Sequence, residues 1–379
     1  MAGNIERHIF AGGNTGLGFF SYYDYIINWE EAERIYILKG GPGVGKSTFM
    51  KEISSEISEK GYSVEYFHCS SDSSSLDGVV FKELKVAIVD GTAPHVIDPR
   101  YPGAVDVIIN LGDFWNTDKI KKHRQEIIEK RREIKKCFDR AYRYLKAASL
   151  IYEDISAYFK NYIYYDEIDR ISNELSGMLF SNQEVKKEGR EGKERRLFAG
   201  AITPNGLENY LESILTTSKV YKLQIYNEKY KISGESEGLK TAAEKILTKI
   251  RDNALEKGYF VESFYCALFP EKIEHIVIPE LDVSVTTANK FHNIRRHDCE
   301  IIELNKLYDK KVLSRYRDFL TEDENELKLL LNTAINSIKV AKSYHHEIEK
   351  YYSSSMDFEK LKQQREDIKN SIIRDALVV

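Results

Sequence analysis

The sequence has few of the features that mark secreted, membrane-spanning or zinc-binding proteins. Only four of its 379 residues are cysteine and none forms a CxxC pair, which argues against a disulfide framework or a zinc ribbon. No apolar run approaches the roughly 18 residues of a membrane span, and the N-terminus has no apolar signal core. The formal charge is only −4, so there is no global basic field for nucleic acid. We expect a cytoplasmic protein with no membrane contact.

What the chain does contain is an internal repeat. Residues 59–69 recur as residues 256–266 with eight of eleven positions identical, and residues 6–12 recur as residues 194–200 with five of seven identical. A charge-rich, glycine-broken stretch separates the two copies, as is typical of an exposed linker. We therefore predict a first copy in residues 1–180, a linker in residues 181–193 and a second copy in residues 194–379.

Within the first copy, apolar strands at residues 34–39, 63–69 and 84–90 alternate with a helix at residues 47–60 and a polar loop. This order favours an α/β fold with a parallel sheet flanked by helices. Further along, apolar residues recur every three or four positions from Ile134 to Phe159, and the same seam recurs 193 residues later. The seam predicts a long helical arm on each copy, with Tyr152 and its counterpart His345 facing a partner helix.

The strongest chemical signal is a phosphate-binding loop. The sequence GGPGVGKS at residues 40–47 matches GxxxxGK[ST], follows an apolar strand and opens a helical pattern. Backbone N–H groups of such a loop cradle phosphates, the lysine neutralises their charge and the hydroxyl ligates Mg²⁺. The predicted nucleotide-binding residues are Gly40, Gly41, Pro42, Gly43, Val44, Gly45, Lys46, Ser47 and Thr48.

Two aspartates complete the predicted site. Asp90 ends an apolar strand, as the carboxylate that holds the magnesium shell does in a Walker B strand, so Ser47 and Asp90 are the predicted metal ligands. Asp72 lies in a serine-rich loop and is a candidate catalytic base; a loop-capping role is the alternative. Lys46, Asp90 and Asp72 are the predicted catalytic residues.

The second copy has lost most of this signal. Residues 234–241 align with residues 40–47, and Lys240 and Thr241 keep the lysine and hydroxyl, but Glu235, Glu237 and Leu239 replace three glycines. In the same copy Thr287 replaces Asp90 and Phe269 replaces Asp72. Cβ atoms and carboxylates oppose a phosphate cradle, so we predict a degenerate, noncatalytic second copy.

The chain resembles a family of tandem P-loop ATPases from Gram-positive, often spore-forming anaerobic bacteria. The resemblance extends over nearly the whole chain, through FAGGNT at residues 10–15, the loop at residues 40–48, HCSSD at residues 68–72, SLDG at residues 75–78 and DGTAPH at residues 90–95. It implies tandem P-loop domains that bind ATP. This chain departs from the family pattern where the second copy lacks the glycine loop.

These observations predict a Mg²⁺-dependent ATP-binding protein and ATPase with one competent nucleotide site, in the first copy. One alternative is a small-molecule kinase that uses Asp72 as its base. Another is a nucleotide-gated binding module whose helical arms grip a protein or nucleic-acid partner. The basic stretch at residues 119–136 carries nine lysines and arginines but no aromatic residue, so a solvated helix face is favoured over a nucleic-acid surface.

Overall fold

The computed structural model describes residues 5–94, 96–181, 191–225, 235–289, 294–296 and 298–376. The predicted linker therefore lies mostly outside the described residues. The strands are β1 (Glu6–Phe10), β2 (Gly12–Thr15), β3 (Gly18–Ser21), β4 (Arg34–Lys39), β5 (Val64–Cys69), β6 (Asp72–Phe81), β7 (Val86–Asp90), β8 (Asp106–Asn110), β9 (Lys193–Phe198), β10 (Gly200–Thr203), β11 (Gly206–Asn209), β12 (Lys219–Gln224), β13 (Phe260–Tyr265), β14 (Ile273–Ile278), β15 (Val283–Ala288) and β16 (Cys299–Glu303). The helices are α1 (Lys46–Glu59), α2 (Thr117–Lys121), α3 (Arg124–Lys160), α4 (Tyr165–Phe180), α5 (Leu211–Ile214), α6 (Glu235–Glu256), α7 (Lys310–Leu313), α8 (Arg317–Ser353) and α9 (Phe358–Ala376).

Twelve strands form one sheet in the order β16-β12-β15-β14-β13-β9-β1-β5-β6-β7-β4-β8. Read outward from the centre, the second copy repeats the strand order of the first, as a tandem duplication would produce. The copies join where β1 meets β9 antiparallel, with Phe10 opposite Phe198. Two small ribbons, β2-β3 and β10-β11, repeat as well.

The predicted parallel sheet is wrong in one respect, because the sheet is mixed. β6 runs antiparallel to both β5 and β7, and β14 does the same between β13 and β15. Sequence reasoning placed a polar loop at β6 because the strand opens with the polar residues 72–75. Its later residues Val79, Val80 and Phe81 are buried in the core and make it a strand.

The two long helices pack against each other across the copies. α3 and α8 each have 37 residues and run antiparallel, so that Lys130 forms an ion pair with Glu347 near one end while the rings of Tyr158 and Tyr316 lie 5.2 Å apart near the other. The seam predicted from the sequence is buried along this contact for most of its length. His345 is the exception, because its side chain is 45% exposed and pairs with Glu349. The expectation that His345 faces a partner helix is wrong.

Because each long helix extends over the other copy, the last helix of each copy packs on the core of the other. α4 of the first copy packs on α6 of the second, and α9 of the second copy packs on α1 of the first. The approach is close, since a Cβ placed at Gly238 in α6 would lie 2.1 Å from the ring of Phe159 in α3. The helical arms therefore cover the core of the opposite copy, while α3 also contacts the β2-β3 ribbon and α8 contacts β10 of their own copies.

Three buried ionic side chains and the half-buried Arg195 stabilise the centre of the sheet. Arg7 Nη1 lies 2.7 Å from Glu65 Oε1 and Arg7 Nη2 lies 2.8 Å from Glu262 Oε2. Arg195 repeats both contacts at 2.8 Å to Glu65 and 3.0 Å to Glu262. The two arginines are counterparts in the repeat, as are the two glutamates, so the quartet is symmetric about the β1-β9 junction. Burial alone would raise the carboxyl pKa values, but the arginines and Lys82 lower the pKa of Glu65 well below its usual range and that of Glu262 to about 2.

Replacing one of the two glutamates should leave Arg7 and Arg195 with only one carboxylate to neutralise their two charges. We expect Glu262→Gln to lower the free energy of unfolding by about 3–5 kcal/mol, measured by urea denaturation at pH 7. In the native protein the stabilisation from Glu262 is present above pH 4.5 and is lost as the pH falls through about 2, since its folded pKa is depressed.

The matched control is Glu300→Gln, which removes an exposed carboxylate from β16. Equal urea midpoints for the two variants would show that the quartet does not stabilise the sheet.

Candidate functional site

The loop between β4 and α1 has the backbone of an anion cradle. Gly43 and Gly45 adopt φ values of +72° and +95°, a region that side chains disfavour, and Gly45 directly precedes α1. The first N–H groups of α1 have no partner within the helix, so they can donate to an anion. Val44 anchors the loop in the core, whereas Thr48 is exposed. A cradle that Cβ atoms would disrupt fits the phosphates of a nucleotide.

Lys46 lies folded against this loop. Its Nζ donates to the carbonyl oxygens of Gly40 at 2.8 Å and Gly41 at 2.9 Å, and it lies 3.5 Å from Asp90 Oδ2. The structure thus brings together the predicted lysine and the predicted strand-end aspartate. These oxygens hold the Lys46 ammonium, and the oxygens of a bound phosphate could take their place.

A second carboxylate lies beside Asp90, and sequence reasoning missed it. Burial raises the pKa of Asp90; the Lys46 ammonium opposes this shift and the charge of Asp77 adds to it. Asp77 is buried in β6 and accepts a 2.5 Å hydrogen bond from the Tyr23 hydroxyl. The repeat offered one sequence signal for this residue, because the counterpart of Asp77 in the second copy, Glu274, is also acidic. A buried carboxylate beside a half-buried one favours a cation at this end of the sheet.

Ser47 and Asp90 could hold Mg²⁺ in a shell completed by phosphate oxygens. Ser47 follows Lys46 in the first turn of α1, and its Oγ accepts a 3.0 Å hydrogen bond from the N–H of Leu76 in β6. Within the described residues, no group of three or more His, Cys, Asp or Glu side chains is arranged to hold a metal ion. A metal ion at this place would therefore need further oxygen atoms from a bound phosphate.

Asp72 begins β6 and pairs with the arm of the second copy. Its carboxylate accepts hydrogen bonds from the hydroxyls of Ser74 and Ser75 and from Lys342 Nζ, the last at 2.7 Å. Partial burial would raise its pKa, but these donors lower it to about 2. A carboxylate that holds protons so weakly makes a poor general base. The geometry is that of a turn cap and an ion pair between copies.

The second copy forms one wall of the loop. A Cβ placed at Gly41 would lie 2.7 Å from the ring of Tyr352, and one at Gly43 would lie 2.7 Å from the carbonyl oxygen of Glu349. A Cβ at Gly45 would lie 3.2 Å from Leu361 in α9. The glycines therefore allow two things: the positive φ values of the loop and the close approach of α8.

The corresponding segment of the second copy is helical where the structure describes it. α6 begins at Glu235, five residues before Lys240, so residues 235–241 form a helix in place of a glycine loop. Lys240 is buried, forms an ion pair with Glu274, donates to Cys266 Sγ at 2.8 Å and lies 5.8 Å from the ring of Tyr152. The side chains of residues 235–237 lie outside the described part, so their predicted repulsion of phosphate stays a prediction.

The comparisons with known proteins add one partial match. The family model described as Nephrocystin 3, N-terminal, matches residues 17–80, about a sixth of the chain. The matched segment runs from the β2-β3 ribbon to β6 and includes the glycine loop, Asp72 and Asp77. No curated protein and no solved structure matches the chain. In the described residues, none of the helices is long and apolar enough to cross a membrane.

The contact between α8 and the loop can be tested at Gly43. We expect Gly43→Ala to lower the free energy of unfolding by clearly more than the roughly 1–2 kcal/mol that a left-handed backbone costs a residue with a Cβ. The excess arises because the methyl group would collide with the α8 backbone. Urea denaturation measures it.

Gly61→Ala is the matched control, since Gly61 has φ +93° but nothing within 4 Å of an added Cβ. If both variants lose the same stability, α8 does not pack on the loop.

Proposed function

We propose that the first copy is a P-loop nucleotide-binding unit that binds ATP with Mg²⁺ and hydrolyses it, and that the second copy is a degenerate partner. The observation that carries this proposal is the glycine cradle at the N-terminus of α1, with Lys46 held 3.5 Å from Asp90 at the loop. The four cysteines form no disulfide, which is compatible with a reducing cytoplasm.

In this proposal each residue has a defined task. Backbone N–H groups of the loop and the start of α1 bind phosphate oxygens, and Lys46 neutralises charge that develops on them. Ser47 and Asp90 would hold Mg²⁺, which supplies charge neutralisation between the phosphates. Asp77 keeps the surroundings of Asp90 negative and so favours the bound cation.

Hydrolysis should be slow, because the position after Asp90 cannot carry a side chain that orients water. A Cβ at Gly91 would lie 2.5 Å from Ile37 and 3.1 Å from the carbonyl oxygen of Ile97. The glutamate that often follows a Walker B aspartate therefore has no room there. Slow turnover is typical of proteins that use nucleotide as a switch.

The contacts of α8 favour the nucleotide-gated binding module as the second candidate. α8 contacts the glycine loop at Gly43 and, through Lys342, Asp72. A ligand that moves the loop would act on this helix directly, through Gly41 and Gly43. The kinase alternative gains no support, since Asp72 is engaged by Lys342 and its pKa is about 2.

Lys46→Ala should lower ATP turnover by about 100-fold or more, because it removes a cation that neutralises charge developing in the transition state. Steady-state phosphate release at saturating ATP measures this effect. Lys60→Ala, which removes an exposed lysine at the end of the same helix, is the control and should keep native turnover. Native turnover in Lys46→Ala would exclude this site as the source of the activity.

A further inference from the structure

A pocket of about 230 Å³ lies between the segment that follows β8, the start of α3 and α8 of the second copy. Trp115, in the segment that follows β8, forms one wall, and Tyr352 of α8 forms another. The Tyr352 ring also lies against Gly41, so this one side chain contacts both the pocket and the start of the loop. Ile120 and Ile127 add apolar surface.

The two aromatic walls offer stacking surface. The ring centroids of Trp115 and Tyr352 lie 5.6 Å apart at an angle of 57°, and both side chains are only partly buried. A planar heteroaromatic ring gains stacking free energy on such faces without needing a specific hydrogen bond.

The charges that line the pocket are of one sign. Lys121 and Arg124 are exposed cations, and none of the described residues that line the pocket is acidic. An aromatic pocket with cations and no carboxylate favours a ligand that is both planar and anionic. A nucleotide has both properties.

The second copy shows the same contact in a closed form. Tyr308 and Phe159 are the repeat counterparts of Trp115 and Tyr352, and their ring centroids lie 5.4 Å apart. These two are 3% and 0% exposed, and Phe159 packs on Gly238 of α6. The aromatic pair is therefore open beside the glycine loop and buried where the loop has been lost.

We propose that Trp115 and Tyr352 form the nucleobase subsite of the nucleotide site, with the base stacked on these rings and the phosphates in the loop. This inference rests on the proposed function, because it places the two ends of one nucleotide in adjoining parts of the same site. Tyr352 belongs to the second copy, so the base subsite is complete only when α8 packs against the first copy.

The test compares Mg²⁺-ATP with Mg²⁺-tripolyphosphate, which has the phosphates but no base. We expect Trp115→Leu and Tyr352→Leu each to weaken ATP binding by about 5- to 150-fold in titration calorimetry, the range of base stacking on one aromatic side chain. Tripolyphosphate affinity should not change, which also shows that the variants are folded. Tyr344→Leu, on α8 but outside the pocket lining, should leave both affinities unchanged.

A spectroscopic arm uses Trp29→Phe, which leaves Trp115 as the only tryptophan of the chain. ATP should change its emission and tripolyphosphate should not. An unchanged ratio of the two affinities in Tyr352→Leu, or loss of both ligands in a folded variant, would overturn the base subsite. If instead Lys46→Ala leaves binding of both ligands intact, the proposed function itself fails.

Discussion

The antiparallel packing of α3 against α8 determines where the rest of the molecule can lie. Each of these helices leaves its own copy, runs along the other and delivers the next helix onto the opposite core, so α9 reaches α1 and α4 reaches α6. The ionic quartet of Arg7, Glu65, Arg195 and Glu262 fixes the same two copies at the level of the sheet. Both contacts join residues far apart in the sequence, so the copies are expected to fold and unfold together.

Each long helix packs over the opposite copy in a similar way, but the side chains in contact differ in polarity. Over the first copy, α8 presents Lys342 to Asp72, leaving a polar and partly exposed contact. Over the second copy, α3 presents Tyr152 to Phe269, with ring centroids 4.9 Å apart and both side chains buried. A polar contact can be exchanged for a ligand at small cost, whereas separating buried rings exposes apolar surface to water. This difference supports one ligand-binding side and one structural side.

The lysines follow the same division. Lys46 is held by loop carbonyl oxygens and Asp90, partners that a phosphate can replace. Lys240 is buried with Glu274 inside α6, which begins five residues before it. Removing a partner from a buried ion pair is costly, so Lys240 is fixed in place. Its retention in the sequence therefore reflects packing and charge balance in the second copy.

Much of this arrangement could be predicted from the sequence, because it depends on local patterns. The repeat, the strand β4, the helix α1 and the strand-end position of Asp90 all follow from identity, apolar runs and glycine spacing. β6 was missed because its first residues are polar, and Asp77 was missed with it, since only the antiparallel turn brings that carboxylate to Asp90. The seam showed that Ile134 to Phe159 would be buried, yet apolar periodicity does not identify the partner helix, so the crossing of the arms required the structure.

In the proposed function there is one working nucleotide site, built on the loop of the first copy and bordered by α8 of the second copy. Titration calorimetry with a nonhydrolysable ATP analogue and Mg²⁺ tests it most directly. We expect saturation at one nucleotide per chain, and weaker binding to the Lys46→Ala variant. Saturation at two nucleotides per chain, or an unchanged affinity in Lys46→Ala, would show that this site is not the one that binds the nucleotide.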